Sequence, residues 1–568
     1  MNRQHGTPRL NVWFAVAIAL VIIGMVAGIS MLAPPGTGDS PGTGVEFVEV
    51  AEDSGFVYNA NDHNQMGNSR AGVYVSDVTN NGYPDLLAIG GDEPVLFLNT
   101  GGEFERSDAI PPIDATVNSA VFFDQNGNGW DDLLILPRHD APIFLANDGG
   151  EFEHRDVGLD DIQLRIPVAA SVADYNQNGC LDVFVAQNGD WRRHLPMKEQ
   201  RARDLSRGGD IPSEIAVEED NGNPNYLFEG DCDAGTFTDV TTDVGIDGER
   251  WSMATSFTDF TGNGYPDIHE ANDFNYDILW VNQAGEGFLR EQILRTNRHA
   301  MSSEVADFSG NGQMDIFVTN IHFKQQVGAK QILDSIDNSG NNLLINRNGT
   351  FSTEEHDYNV RDGGWGWAAV TTDFDNTGEL DLIHTTHHEL NMTDPEKSVL
   401  THPRVWIRDG DRFARAEPSE GGFIPQNGRG LATLDYNRNG KEDLVTTNLD
   451  GAYKLYENRG GSGQWLQIAV KDDQDATVHG AQVTVRYRTS GTDGHEHHLV
   501  TKARTDLLSQ STRVHHIGLG DATQATVEVT WPDGEVRTFD GVDANQRIAV
   551  YPNGTLKTQS AHGNGLSD

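Results

Sequence analysis

Acidic and amide side chains recur at fixed spacing in seven short segments with the pattern Asp-x-polar-x-Asn/Thr-Gly-x-x-Asp. Numbered from the first Asp, positions 1, 3, 5 and 9 offer side-chain oxygens, position 7 offers a backbone carbonyl, and the glycine at position 6 permits a sharp turn. Hard oxygen ligands, with no Cys or His side chain among them, favour Ca²⁺ over zinc. The pattern predicts up to seven structural calcium sites. The predicted ligands are Asp77, Thr79, Asn81 and Asp85; Asp124, Asn126, Asn128 and Asp132; Asp174, Asn176, Asn178 and Asp182; Asp259, Thr261, Asn263 and Asp267; Asp307, Ser309, Asn311 and Asp315; Asp373, Asp375, Thr377 and Asp381; and Asp435, Asn437, Asn439 and Asp443.

These segments, called the first to seventh loops below, differ from the calcium loop of an EF-hand. They lack a Glu at position 12 and flanking helical patterns, so the Asp at position 9 closes the site within a hairpin. The sixth loop has a carboxylate, Asp375, at position 3 and should bind calcium most tightly, whereas Thr79 and Thr261 should make the first and fourth loops the weakest. The alternative is that Asx and Asn-Gly turns form these hairpins without metal.

The sequence around each loop indicates the strands that hold it. A strand of small and apolar residues precedes each loop, an apolar strand follows it, and a further strand ends in a polar turn, as in LFLNTGGEF at 96 and IFLANDGGEF at 143. Four such strands form one propeller blade. A single blade leaves both of its faces exposed to solvent, and radial stacking of the blades buries them. We therefore predict an all-β, seven-bladed β-propeller over residues 45–460, with a solenoid as the alternative.

Residues 461–553 contain alternating apolar strands, among them WLQIAV, AQVTVRYR and ATVEVTW, with turns at Asp533-Gly534 and Asn553-Gly554. This pattern predicts a small second β domain, followed by a tail over 554–568. It contains no obvious nucleophile or metal constellation.

Beyond the loops, the sequence resembles a known family through GWGWAAVTTDFDNTGELDL at 364, GAQVTV at 480, LLSQS at 507, HIGLGDA at 516 and VEVTWPDGEV at 527. It resembles the cartilage acidic protein group, in which an integrin-like FG-GAP or VCBS propeller precedes an ASPIC/UnbV domain. The resemblance implies a secreted or surface protein that binds calcium through its propeller. Long inserts after the third and fifth loops depart from the pattern, so it implies no specific ligand.

The N-terminal residues predict export. Residues 12–33 carry no charge and are long enough to cross a bilayer, Arg3 and Arg9 precede them, and the next basic residue is Arg70. We expect a cytoplasmic stretch over 1–11, a single transmembrane helix over 12–33, a Pro/Gly/Ser/Thr tether over 34–44, and the remainder outside the cell. The alternative is a cleaved signal and a secreted protein.

The net charge limits the kinds of partner, and the cysteine content raises the question of a disulfide. A net charge of -46 repels nucleic acid and attracts divalent cations, so we expect no nucleic-acid partner. The two cysteines, Cys180 and Cys232, could form a disulfide in an oxidising compartment or remain unpaired thiols, because the sequence does not give their separation.

In each repeat, a polar turn follows the strand that comes directly after the loop. Because all the loops lie at one end of their blades, these turns lie at the opposite end. The long inserts, 188–222 and 320–341, leave from the same end, and inserts gathered on one face often mark a binding face. The alternative is that turns are polar without binding anything. The candidate ligand-face residues are His139, Asn188, Asp190, Trp191, Asn272, Asp273, Asn320, His322, His387 and His388.

Together these features favour a calcium-binding extracellular module that binds an unidentified protein or glycan. A propeller enzyme acting on polysaccharide is one alternative, although nucleophile elbows, zinc-protease motifs and phosphate loops are absent from the sequence. A purely structural envelope component is the other.

Overall fold

A computed structural model describes residues 44–60, 71–189, 222–294, 296–297, 299–322, 340–387, 399–416, 422–449, 451–490, 494–501, 503–504 and 506–559. All of them belong to one unit, Thr43–Asp568, and the separate unit Met1–Gly42 contains none of them. The expected cytoplasmic stretch, membrane helix and nearly all of the tether lie outside the described residues. Within the ranges above, every regular element is a β-strand, and no helix there is long and apolar enough to cross a membrane.

Seven sheets, each with a set of four antiparallel strands, follow one another along residues 47–458, and two of them gain a fifth strand from the C-terminal region. Strand β1 (Phe47–Glu49) comes first in the chain but belongs to the seventh sheet. Sheets 1 to 3 contain β2 (Gly72–Ser76), β3 (Asp85–Ile89), β4 (Val95–Asn99) and β5 (Phe104–Ser107); β6 (Val117–Phe123), β7 (Asp132–Pro137), β8 (Ile143–Asp148) and β9 (Glu151–His154); and β10 (Pro167–Ala173), β11 (Asp182–Gln187), β13 (Tyr226–Asp231) and β14 (Thr236–Asp239), while β12 (Asn223–Pro224) pairs with β15 (Glu249–Arg250).

The remaining four sheets repeat the same strand order, and β1 completes the last of them. They contain β16 (Ser252–Thr258), β17 (Asp267–Asn272), β18 (Asp277–Asn282) and β19 (Phe288–Leu294); β20 (Glu304–Ala306), β21 (Asp315–Val318), β22 (Asn342–Arg347) and β23 (Thr350–Thr353); β24 (Gly366–Thr372), β25 (Asp381–Thr386), β26 (Arg404–Asp409) and β27 (Arg412–Ala416); and β28 (Gly428–Leu434), β29 (Asp443–Asn448), β30 (Lys454–Asn458) and β1.

Strand composition follows from position within each sheet. First strands such as Val117–Phe123 are buried along their whole length, because neighbouring sheets cover both of their faces. Fourth strands such as Phe104–Ser107 and Glu151–His154 bury one apolar residue and expose charged ones. Charged side chains on an exposed edge strand oppose pairing with other chains. Burial therefore decreases from the first strand of a sheet to the fourth, as in a propeller-like arrangement with small apolar residues in the innermost strands.

The first strands of successive sheets pack against one another: β2 contacts β6, β6 contacts β10, β10 contacts β16, β20 contacts β24, and β24 contacts β28. Strand β28 in turn contacts β2, so the last sheet lies beside the first. The N-terminal strand β1 joins the same region, because Phe47 aligns with Asn458 at the outer edge of sheet 7. Both ends of this region of the chain thus lie in one sheet.

The C-terminal domain is built from two four-stranded sheets whose facing apolar residues form a separate core. Its last strand ends at Gln559, beyond the boundary at 553 that the sequence suggests, because Leu556 pairs with Val550. One sheet contains β31 (Gln464–Val470), β36 (His515–Gly520), β39 (Gln546–Val550) and β40 (Leu556–Gln559), and the other β32 (Gln482–Tyr487), β33 (His495–Val500), β37 (Gln524–Thr530) and β38 (Val536–Asp543).

One segment of the C-terminal domain extends between the first strands of the seven sheets. Within it, β34 (Ala503–Arg504) pairs with β10 and contacts β16, and β35 (Ser509–Gln510) pairs in parallel with β2. We call residues 503–504 and 506–513 the inserted segment. Leu507 and Leu508 are 1% and 0% exposed and pack in one cluster with residues such as Val168, Met253 and Leu431.

Polar groups of the inserted segment are paired with the inner strands. The two carboxylate oxygens of Asp506 accept hydrogen bonds from the backbone N–H groups of Ser303 (3.0 Å) and Ala369 (2.9 Å). The side chain of Gln510 bonds both the N–H (2.9 Å) and the carbonyl (3.0 Å) of Phe122. Because these partners lie in sheets 2, 5 and 6, the segment joins distant parts of the chain.

The two cysteines, left open by the sequence, form a disulfide. Cys180 lies at position 7 of the third loop and Cys232 follows strand β13, so the bond ties the loop to the third strand of its own sheet.

Candidate functional site

The first loop illustrates how the backbone forms each hairpin. The carboxylate of Asp77 accepts hydrogen bonds from the N–H groups of Asn81 (3.0 Å) and Gly82 (2.8 Å), and the side-chain oxygen of Asn81 accepts one from Tyr83 (2.7 Å). Gly82 has φ +88°, a conformation that other residues rarely adopt. The carboxylates and amides at positions 1 and 5 therefore orient the turn whether or not a cation is bound.

The Asp at position 9 is held from two sides. In the first loop, Asp85 accepts hydrogen bonds from Val78 (2.9 Å), inside the loop, and from Asn99 (2.7 Å), on the third strand. The same pair of backbone contacts recurs in the second loop, where Asp132 accepts from Gln125 and Asn147. Each loop is thereby fixed to the core of its sheet.

Burial makes these carboxylates costly to ionise. The pKa of Asp85 is raised to about 8 and that of Asp132 to about 7, and burial is the main cause. Backbone hydrogen bonds act to lower both pKa values, whereas the charges of Asp77 and Asp124 act to raise them. A similar balance raises the pKa of Asp182 to about 8. A cation at the loop would favour the ionised form of each group.

The sixth loop brings three carboxylates together. Oxygens of Asp373, Asp375 and Asp381 lie within 4.8 Å of one another, and all three residues are buried. Burial and then the charge of Asp375 raise the pKa of both Asp373 and Asp381 well above the usual range. A set of hard oxygens with this mutual repulsion fits a divalent cation such as Ca²⁺. In the first loop, the buried Thr79 Oγ1 has no hydrogen-bond partner among the described residues, which also fits a side-chain oxygen that serves as a cation ligand.

Five buried asparagines that are not among the predicted ligands connect five of the seven loops to a neighbouring sheet. Asn147 in sheet 2 donates from its side-chain amide to the carbonyl of Val78 in the first loop (3.0 Å), and its oxygen accepts from Gly150 (2.9 Å). Each lies at or next to the end of the third strand of its sheet, and the sequence shows them in the recurring segments LFLN, FLAN, WVN, LLIN and LYEN. The five donor–acceptor pairs are Asn99 with Tyr436, Asn147 with Val78, Asn282 with Tyr175, Asn346 with Phe260 and Asn458 with Phe374.

The C-terminal domain covers several loops. Gln467 Nε2 donates to Asp435 of the seventh loop (2.9 Å), and His516 Nε2 lies 2.7 Å from the side-chain oxygen of Asn376 in the sixth. Arg547 donates to the carbonyl of Gly82 in the first loop (3.2 Å). The loop end of the sheets is thus an interface with the second domain as well as a candidate metal site.

Among the candidate ligand-face residues, Asp190, Trp191 and His388 lie outside the described residues. The structure buries Asn188, Asn272 and Asn320 completely, so these three form structural hydrogen bonds rather than an exposed surface. Their polarity is explained by neighbouring backbone groups. For example, Asn320 accepts from the N–H of His299 (3.1 Å) and receives at its backbone oxygen the N–H of Gly366 (3.2 Å).

Four of the candidate residues lie in one continuous region across sheets 4 to 6: Asp273, Asn320, His322 and His387. Asp273 lies 3.1 Å from Nδ1 of His299, whose backbone bonds Asn320. His322 Nε2 lies 3.6 Å from Asp362, and His387 stacks on Trp365 with ring centroids 4.4 Å apart. His139 is exposed in the turn after the second strand of sheet 2, where its backbone N–H donates to the carbonyl of Arg165 (3.2 Å).

Comparison with known proteins agrees with this architecture. Residues 471–557 match the family model described as ASPIC and UnbV, and residues 77–135 and 259–318 match the FG-GAP-like repeat. Cartilage acidic protein 1 of Xenopus tropicalis is 22% identical over 492 residues, which are 79% of this chain and 60% of that protein. The human protein of the same name is 25% identical over 331 residues, 57% of this chain and 39% of that protein. The chain therefore spans only about 39–60% of the length of these relatives.

Two solved structures are also similar, at low scores. The WD40 beta propeller domain of Doa1 has a TM-score of 0.38 and 10% identity, covering 70% of this chain and 95% of that chain. Saccharomyces cerevisiae Sqt1 has a TM-score of 0.38 and 9% identity, covering 69% of this chain and 97% of that chain. The chain thus contains FG-GAP-like repeats and a C-terminal ASPIC and UnbV domain, and it is similar in sequence to the cartilage acidic proteins.

Proposed function

We propose that this chain is an exported binding module, a closed seven-bladed propeller stabilised by structural Ca²⁺ in its loops. The observation that carries the calcium assignment is the convergence of Asp373, Asp375 and Asp381, three buried carboxylates with oxygens within 4.8 Å. Together with the repeated donor pattern in the other six loops, it favours a structural role, because positions 1, 3, 5, 7 and 9 of each loop supply the ligands from one short segment of the chain.

Closure of the ring is supported by the contact of β28 with β2 and by the place of β1 in the seventh sheet. Export is supported by the disulfide between Cys180 and Cys232, since disulfides persist in oxidising compartments. We assign residues 12–33 as the membrane anchor that retains the exported part at the cell surface.

A binding role is favoured over catalysis by what fills the centre. Leu507 and Leu508 occupy the space between the inner strands, where a propeller enzyme would place its substrate. One Ser-His-Asp arrangement exists, with Ser303 Oγ 2.7 Å from His269 Nδ1 and His269 Nε2 3.7 Å from Asp277. All three of these residues are 0% exposed, so no substrate reaches the hydroxyl.

The calcium assignment is tested by thermal unfolding of the full chain with chelator, followed by titration with calcium or magnesium at fixed ionic strength. If each site is filled at tenfold excess over its Kd, linkage gives about 1.4 kcal/mol per site. We expect a large fall in Tm with chelator, restored by calcium and not by equal magnesium. An unchanged Tm would mean that the loops are turns without metal.

The partner is proposed to be an extracellular protein or glycan that binds at the end opposite the loops, where His139, His322 and His387 are at least partly exposed. Binding to a glycan array by the native chain and by His139→Ala and His322→Ala variants tests this face. Glycan signals that both variants retain in full would contradict a role for these two residues.

A further inference from the structure

A cavity of about 590 Å³ lies between the first two loops and the C-terminal domain. Four cationic side chains line it: Arg438 from the seventh loop, and Lys471, Arg513 and Arg547 from the C-terminal domain. The carboxylates in its lining are Asp77, Asp131 and Asp475. In a chain with a net charge of -46, a cavity wall with more cations than carboxylates is a marked local exception.

Among the described residues, one of the four cations makes an ion pair. Arg513, whose side chain is 8% exposed, pairs with Asp131. In the part of the chain that the structure describes, Arg438, Lys471 and Arg547 make single hydrogen bonds to neutral oxygens instead. Arg438 donates to the carbonyl of Gln559 (3.2 Å), Arg547 to that of Gly82 (3.2 Å), and Lys471 to the hydroxyl of Thr477 (3.2 Å).

The positive charges on this wall oppose one another. Burial lowers the pKa of Arg547 and the neighbouring charge of Arg438 lowers it further, although the carboxylates of Asp77, Asp435 and Glu442 act against this. Burial also lowers the pKa of Lys471, although Asp131 and Asp475 act against this. Nε of Arg547 is buried and has no hydrogen-bond partner among the described residues. A desolvated cation that makes no direct ion pair is unfavourable, and an anion bound against Arg547 and Arg438 would relieve that cost.

We propose that this cavity binds the oxyanion group of a small molecule, a carboxylate or a sulfate, through Arg547 and Arg438. A guanidinium offers paired N–H donors that match a planar or tetrahedral oxyanion. The volume lies within the range of about 300–1,000 Å³ that is typical of small-molecule sites. Calcium in the first loop would neutralise Asp77 on the same wall and increase the attraction. The inference goes beyond the proposed binding face, because the cavity lies at the loop end.

The experiment is isothermal titration of the full chain with two probes, inorganic sulfate and glucuronate, at constant ionic strength and with calcium present. Sulfate and glucuronate distinguish a tetrahedral from a carboxylate ligand. The test variants are Arg547→Gln and Arg438→Gln, with Arg547→Lys retaining the charge without the paired donors. Arg486→Gln is the matched control, since Arg486 lies in the same domain, is 43% exposed and pairs with Glu496 and Glu528.

We expect saturable binding of at least one probe, weakened about tenfold or more in Arg547→Gln and unchanged in Arg486→Gln. If circular dichroism shows that the Gln variants are misfolded, the Arg547→Lys variant replaces them in the test. A folded Arg547→Lys protein should then bind the probe more weakly than the native chain. No saturable binding of either probe to the native chain would overturn the proposal. Equal binding by the native chain and the folded Arg547 variants would also overturn it. Because the calcium assignment is tested by Tm under chelator, its failure is distinguishable from that of the anion site.

Discussion

The side-chain amide of Asn99 in the first sheet donates a hydrogen bond of 2.8 Å to the backbone carbonyl of Tyr436 in the seventh loop. The same amide donates to Pro84 (3.1 Å) within its own sheet. These residues are 337 positions apart, so the bond links the beginning of the repeat region to its end. Asn99 is 0% exposed, so both of these hydrogen bonds are shielded from solvent.

Replacing Asn99 with Ala should therefore destabilise the protein. The variant leaves two buried carbonyls without their donor, which typically costs about 1–3 kcal/mol for each lost group. We expect a lower urea midpoint with an unchanged slope, measured in calcium. Asn553→Ala, at an exposed turn of the C-terminal domain, is the control and should change stability by less than about 0.5 kcal/mol. An Asn99→Ala midpoint equal to that of the control would show that the bond does not support the fold.

Asp375→Asn should have opposite effects with and without calcium. Without calcium, the substitution removes a negative charge that raises the pKa of Asp373 and Asp381, so the Tm should rise. With calcium, the loss of one charged ligand should weaken binding at the sixth loop by about tenfold, and the Tm should fall. Calorimetry in chelator and in calcium measures both. Asp411→Asn, at an exposed turn of the same sheet, is the control, and a change of the same sign in both conditions would contradict the metal assignment.

The stability of the calcium-free protein should fall as pH rises. Asp85, Asp132 and Asp182 have pKa values raised to about 8, 7 and 8, so the folded state binds more protons than the unfolded state between pH 4 and 8. The stabilisation is fully present below the unfolded pKa near 3.8 and is lost as pH rises through the folded values. Melting temperatures in chelator across this range should decrease.

In saturating calcium the trend should reverse, because the metal binds only the ionised carboxylates. Asp85→Asn removes one of the three groups and should flatten the chelator profile. A chelator profile in which Tm rises between pH 5 and 8 would contradict the assigned direction of these pKa shifts.

Local spacing explains what the sequence predicts well. The hairpins form within nine residues, so the Asp and Asn positions of each loop are visible in the pattern. Asn320 shows the limit, because a polar residue in a turn resembles a surface residue until His299 and Gly366 are known to surround it. The motif LLSQS at 507 was recognised only as a family signature. Its insertion depends on partners such as Phe122 and Ala369, which lie 388 and 137 positions away along the chain, and no local pattern contains such pairings.

The inserted segment should make the two domains unfold together. Leu508 is 0% exposed, its N–H donates to Val168 (3.2 Å), and its carbonyl accepts from Val73 (3.1 Å). Leu508→Ala should cost about 2–5 kcal/mol through lost burial and the cavity left behind, whereas Leu508→Asp should release the segment. Unfolding by urea, followed by tryptophan fluorescence and circular dichroism, should change from one transition to two in Leu508→Asp. Leu289→Asp, at a half-exposed site on sheet 4, is the control and should retain one transition. A single cooperative transition of native midpoint in Leu508→Asp would show that the segment does not couple the domains.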